Sequence, residues 1–309
     1  MRNDTDFQQQ LAMITRETNR TVMSFLQDAN DAAGKPLTVS NAMRYALEGG
    51  GKRLRPILMR LAFEHFGGRN QALLAPFQAS IEMIHTYSLI HDDLPCMDND
   101  DLRRGRKTVH VVFGEDMAVL AGDGLLNAAF ETALRATEHC EDDGDMLRVV
   151  LALRILADKS GVNGMAGGQC VDIETEKDSQ GADAETLTFI HENKTAALFE
   201  AALMCGAILA DAAEADVDRM EQLGFYTGHV FQITDDILDE TGTAETLGKS
   251  AGKDRQNGKF TWTSFFGTER AKADAKALSD NALKLLGDAG VEEDAFFYRL
   301  IASLLMRTS

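Results

Sequence analysis

Six aspartates in two short runs carry the most distinctive chemistry of this 309-residue chain. The first run is Asp92-Asp93-Leu94-Pro95-Cys96-Met97-Asp98, leading into Arg103-Arg104. The second, about 140 positions later, is Asp235-Asp236-Ile237-Leu238-Asp239. Carboxylates packed this closely repel one another, so they read either as a solvated acidic surface or, with basic and glycine-rich anion sites beside them, as a place for hard cations. Mg²⁺ suits such a set, because it takes few carboxylates and completes its shell with water and phosphate oxygens. Two such runs facing each other would grip one di- or triphosphate from both sides. In the second run Asp235 and Asp239 are i and i+4, and Asp236 and Asp239 are i and i+3, so on a helix all three crowd one side. In the first run Pro95 disfavours helical geometry at Leu94. A helix ending near Asp93 must therefore be followed by a turn that returns Asp98 towards Asp92 and Asp93.

Candidate anion sites accompany the acids. Gly49-Gly50-Gly51-Lys52-Arg53-Leu54-Arg55-Pro56 combines a flexible backbone, cationic side chains and a helix start at Pro56, where free N–H groups and the dipole favour an anion. It lacks the spacing of a P-loop, and a basic loop balancing an acidic protein has the same composition. Arg103-Arg104 can pair with the aspartates, hold phosphate, or do both. Lys194-Thr195 falls within an otherwise apolar helical stretch, as either a ligand pair or a snorkelling lysine. Gly248-Lys249-Ser250-Ala251-Gly252-Lys253-Asp254 reads as a mobile cationic flap. His85 precedes Asp92 by seven residues, two helical turns, and shares its face, although a lone histidine is more often structural.

The elements that must position these groups are helices. Only four prolines occur, the last at position 95, and no apolar–polar alternation persists long enough for a sheet. Periodicity and breakers place helices at about 7–31, 39–48, 56–66, 71–93, 116–139, 145–160, 185–210, 215–240, 268–286 and 292–306. A turn is expected at Gly34-Lys35-Pro36 and a small-residue break from Gly161 to Gly168. Neither repeat nor linker divides the sequence, so residues 1–309 read as one all-α domain, with 44% hydrophobic residues to build its core. The net charge of −18 argues against nucleic acid or an anionic membrane surface as partner, and requires local cations wherever a phosphate binds. Four scattered cysteines suit a reducing compartment. The polar N-terminus is unlike a leader and no apolar run reaches membrane length. The expectation is a cytoplasmic protein.

Together these residues resemble the trans-isoprenyl diphosphate synthases, in particular the bacterial short-chain branch that makes farnesyl diphosphate. The likeness runs from the Gly-Gly-Lys-Arg region to about Lys259. It implies an isoprenoid synthase fold, in which helices surround a deep apolar cavity with an aspartate motif on opposing walls. Three Mg²⁺ ions, replaceable by Mn²⁺, are implied as the bridge to an allylic diphosphate. On this resemblance Asp92, Asp93, Asp98, Asp235, Asp236 and Asp239 are metal ligands, Asp235 the most direct. Lys52, Arg55, His85 and Arg104 match the isopentenyl diphosphate site. Arg103, Lys194, Thr195, Gln232, Lys249 and Lys259 match contacts to the allylic diphosphate. Arg103 and Lys194 join the aspartates in catalysis. Gly167-Gly168-Gln169 with Asp172 matches a further family segment. Asn99 stands where many relatives carry another aspartate, outside the three-aspartate set.

The implied reaction condenses isopentenyl diphosphate with dimethylallyl and then geranyl diphosphate to give the C15 product. The family pattern marks C15 producers by an aromatic five residues before the first aspartate, here Tyr87, and by the two-residue expansion between the aspartates. Ideal helix geometry instead puts Ser88 beneath Asp92, about 6 Å along the axis. Both are candidates for the floor that limits product length. The implied partners are isoprenoid diphosphates and a second copy of the chain. Three competitors stand beside this reading: a C20 synthase, a terpene cyclase, and a non-catalytic helical subunit. A cyclase is expected to lack the isopentenyl site, and a subunit to lose aspartates.

Overall fold

The computed structural model describes residues 2–31, 37–178, 182–241 and 260–306. The expected turn at Gly34-Lys35-Pro36 and the cationic stretch holding Lys249 and Lys259 lie outside them. The described residues are helical almost throughout, as an all-α isoprenoid synthase fold requires. The chain divides into two compact units, Met1–Leu153 and Arg154–Ser309.

The first unit contains α1 (Arg2–Asp31), α2 (Thr38–Glu48), α3 (Leu54–His65), α4 (Gln71–Asp92), α5 (Val109–Phe113), α6 (Glu115–Leu134) with a 3₁₀ turn (Arg135–His139), and the start of α7 (Asp143–Ser160). Its central helix is α4. Leu73, Leu74, Phe77, Ile81, Met83 and Ile84 are fully buried on it, and burying one such side chain is worth about 1.5–3 kcal/mol. Helix α6 packs on α4, and its small residues Ala118, Ala121 and Ala129 are fully buried. Close approach lets the Ser80 hydroxyl donate to the Ala129 carbonyl at 2.6 Å. The Asn70 side chain caps α4 by accepting from the Ala72 amide at 3.1 Å. The helix stops at Asp92, where the break before Pro95 was expected.

The second unit contains α8 (Met165–Lys177), α9 (Ala184–Ile190), a π-helical turn (His191–Ala196), α10 (Ala197–Leu209), α11 (Glu214–Thr241), α12 (Trp262–Phe266), α13 (Thr268–Asp288) and α14 (Phe296–Leu305). Helix α10 is buried nearly all round, as its uniformly apolar sequence requires. Helix α11 meets α10 at Gly224 and the π turn at Gly228, one turn apart. A Cβ at Gly224 would stand 2.5 Å from the Glu200 Cα, and one at Gly228 would collide with Ala196. Lys159 ties α7 to both helices, through Glu200 and through Glu221 at 2.6 Å.

Several expectations are corrected. Helix α3 begins at Leu54 rather than Pro56; the proline still lies in the first turn, where its missing N–H has no helical partner to lose. Met165–Lys177 is helical, so Gly167 and Gly168 sit inside a helix rather than in a break. The stretch expected as one helix over 185–210 contains the π turn. Helices α5 and α12 went unanticipated. So did a hairpin of β1 (Leu102–Arg103) with β2 (Arg106–Lys107), whose two-residue strands are too short to show alternation.

Candidate active site

In the first unit the turn after α4 does return the chain. The Asp98 amide donates to the Asp92 carbonyl at 2.9 Å and the Asp100 amide to the Asp93 carbonyl at 3.2 Å. Asn99 takes φ +50°, a left-handed conformation that asparagine tolerates better than most residues. The two aspartates diverge in environment: Asp92 is half-buried, Asp93 buried. Arg103 on β1 grips both Asp93 oxygens, with Nε at 2.8 and 2.9 Å and Nη2 at 2.6 Å from Oδ1. Burial pushes the Asp93 carboxyl up from its usual range despite that guanidinium.

The neighbouring arginine turns elsewhere. Arg104 donates to the Gly50 carbonyl, and a Cβ at Gly51 would stand 2.5 Å from its Nη1, so the glycine loop is shaped around this guanidinium. Within the basic run Lys52 is exposed and Arg55 half-buried, whereas Arg53 turns inward. Arg53 is buried with φ +49°. It pairs with Glu82 on α4 at 2.6 Å and donates to Asn19 on α1 at 2.9 Å. Half-buried His85 titrates well below the ordinary imidazole range. Burial is the largest cause, and the charges of Arg55, Arg104, Arg103 and Arg53 add to it. Arg53 and Arg103 are paired with Glu82 and Asp93, so Arg55 and Arg104 are the cations beside this imidazole that an anion site in so acidic a protein needs.

Along α4 the Ser88 hydroxyl donates to the His85 carbonyl at 3.0 Å. The half-buried Tyr87 ring meets the His91 ring edge-on at 5.9 Å. Burial and then the Asp92 charge raise the Tyr87 phenol. His91 lies against α6 at Gly122, where any side chain would overlap its imidazole.

In the second unit all three motif aspartates lie on α11, Asp235 half-buried and Asp236 and Asp239 buried. Asp236 is heavily engaged. It accepts from Gln232 at 3.0 Å and from the Trp262 amide at 2.8 Å, and His191 Nε2 lies 3.6 Å away. Gln232 in turn accepts from the Thr195 hydroxyl at 2.8 Å, and Lys194 pairs with Asp172. His191, Lys194 and Thr195 all belong to the π turn, a feature frequent at functional sites. The turn is pressed from α8 by Gly168, whose missing side chain makes room for the Lys194 amide. Arg53, expected among the cradle's cations, is corrected to a buried partner of Glu82; sequence reading missed His191, Glu82 and Trp262. Trp262, the only tryptophan, offered the one visible signal.

The donors are carboxylate oxygens, which suit a hard cation. Among the described residues no three His, Cys, Asp or Glu side chains converge on one point.

A polyprenyl synthetase family model matches residues 36–298. The chain belongs to that family. Polyprenyl synthetases similar to it include the farnesyl diphosphate synthase of Bacillus subtilis, 40% identical over 93% of this chain and 95% of that one. The large subunit 1 of the chloroplastic heterodimeric geranylgeranyl pyrophosphate synthase of Arabidopsis thaliana is 47% identical over 82% of this chain and 68% of its own length. Among solved structures, an FPP/GFPP synthase from Zymomonas mobilis superposes with a TM-score of 0.81 at 33% identity, covering 97% of this chain and 99% of that one. The chain is thus a prenyltransferase of isoprenoid biosynthesis. None of its described helices is long and apolar enough to cross a membrane.

Proposed function

We propose that this prenyltransferase makes farnesyl diphosphate, adding isopentenyl diphosphate first to dimethylallyl and then to geranyl diphosphate. The observation that carries the C15 assignment is Tyr87. It is half-buried, backed edge-on by His91, and close enough to Asp92 to feel its charge. A bulky ring so near the first motif supports a short floor for the growing tail.

The positive patch around Lys52, Arg55, His85 and Arg104 holds isopentenyl diphosphate, while Arg103, Lys194 and Thr195 serve the allylic diphosphate. Mg²⁺, held by the motif aspartates, supplies Lewis-acid stabilisation of the leaving diphosphate when bound. The allylic C–O bond breaks and its electron pair leaves with the diphosphate. The isopentenyl double bond attacks the resulting cation, and loss of one proton to the departed diphosphate restores an alkene. Lys194 is held by Asp172 and Arg103 by Asp93, so each carries a fixed positive charge of the kind that stabilises a departing diphosphate.

A C20 product is the second reading, favoured by the Arabidopsis relative whose name is geranylgeranyl pyrophosphate synthase. Chromatography of dephosphorylated products separates the two. Wild type should give C15, Tyr87→Ala should shift towards C20 or longer, and Ser88→Phe should shorten to C10. A C20 product from wild type would pass the assignment to the second reading. Excess EDTA should abolish turnover and Mg²⁺ or Mn²⁺ restore it; undiminished diphosphate release in EDTA would sink the mechanism.

A further inference from the structure

The cationic hairpin is braced from behind by a residue outside the reaction chemistry described above. Tyr45, on α2, donates its hydroxyl to the Lys107 carbonyl at 2.8 Å. The Arg106 guanidinium lies over its ring, 4.3 Å from the centroid, and the Phe113 ring meets it at 5.5 Å and 71°. All three contacts fall on β2 or the short helix after it, and β2 pairs residue for residue with β1, Leu102 with Lys107 and Arg103 with Arg106. Between the strands Arg104 and Gly105 take φ +52° and +74°. Two left-handed central residues make the tight turn that matches strand twist. An arginine adopts that conformation only where its neighbours impose it.

The two arginines presented by this hairpin depend on it to different degrees. Arg103 has its own anchor, the two-oxygen grip on Asp93. Arg104 is exposed and reaches the neutral Gly50 carbonyl, so its position follows from the turn that carries it. We propose that Tyr45, acting with Arg106, is a positioning residue that holds Arg104 for the diphosphate of the isopentenyl substrate. This rests on the reading that Arg104 serves that substrate.

The test separates two Michaelis constants. Tyr45→Phe loses the hydroxyl but keeps the ring under Arg106, and should raise the KM for isopentenyl diphosphate about 3- to 5-fold. Tyr45→Leu loses both contacts and should raise it about 10- to 30-fold. The KM for the allylic substrate and kcat should stay within about 2-fold of wild type, because Arg103 keeps its own carboxylate. Arg106→Lys preserves a cation over the ring and should give near wild-type values, whereas Arg106→Leu loses only that contact and should raise the KM for isopentenyl diphosphate about 2- to 5-fold. Both KM values rising together, kcat falling alone, or no change would each overturn the proposal. If Tyr45→Leu fails to fold by thermal melting, Tyr45→Phe and Arg106→Leu decide on the same criterion. A wild-type protein that condenses neither substrate would instead defeat the underlying reading.

Discussion

Adjacent residues of one type do opposite work in this chain. Lys52 and Arg53 stand side by side in the glycine-rich cationic run, yet Lys52 is exposed while Arg53 is buried against Glu82 and Asn19. Removing Lys52 deletes a surface charge that the substrate diphosphate would meet. Lys52→Ala should mainly raise the KM for isopentenyl diphosphate and leave the melting temperature unchanged. Arg53→Met leaves a buried Glu82 carboxylate without its ion-pair partner, which typically costs about 3–5 kcal/mol, so denaturant melts should show a large loss of stability. Equal stability of the two variants would contradict the inward placement of Arg53. In the second motif Asp236 bonds Gln232 and the Trp262 amide, and half-buried Asp235 is proposed as a direct metal ligand. Asp235→Ala should lower kcat at least ~100-fold, about 2.7 kcal/mol, by removing an interaction that strengthens as the leaving group departs. Steady-state kinetics with saturating Mg²⁺ checks it.

Helices were legible where local signals define them and illegible where distant residues do. Helix α4 appeared at its expected bounds because two glycines precede it and Pro95 follows its end. The π turn did not, because it depends on Gly168 and Gly228 meeting it from α8 and α11, contacts that no local window contains. The glycines inside α8 misled for the same reason: they looked like a break and serve close packing. The return of Asp98 was legible from Pro95, whereas the split between Arg103 and Arg104 required the hairpin, which left no periodic trace. A pH prediction belongs to α11. His229 is buried, with Nδ1 3.3 Å from the Phe225 carbonyl, and burial lowers its pKa to about 4 against that bond. The unfolded imidazole titrates near 6.5, so stability is intact above that pH and falls as pH drops towards 4, because the unfolded state binds the proton first. The loss between pH 7 and pH 5 is on the order of 2 kcal/mol. Urea melts at the two pH values should show it, and His229→Leu should reduce the difference. An identical pH dependence in that variant would remove His229 from the account.

At the scale of the whole molecule, a charge of −18 keeps copies apart unless an uncharged surface brings them together. A candidate for such a surface lies on the first unit. Val111 and Val112 on α5 and Val119 and Leu120 on α6 are 39–50% exposed, close together along the chain on consecutive helices. Scattered apolar residues on a surface need no explanation, but four exposed within ten residues of sequence make this stretch the candidate for an interface. The homodimer implied by the resemblance would cover it, with the same residues of each copy meeting about a two-fold axis. A single acidic substitution then enters such an interface twice, against an already negative partner. Leu120→Glu should therefore shift the protein from dimer to monomer in light scattering coupled to gel filtration, with the melting temperature measured on the same sample. Raising the salt concentration should screen the added charges and recover part of the dimer. A wild-type protein of monomeric mass at micromolar concentration would rule out the dimer, and a dimeric Leu120→Glu variant would move the interface to another face.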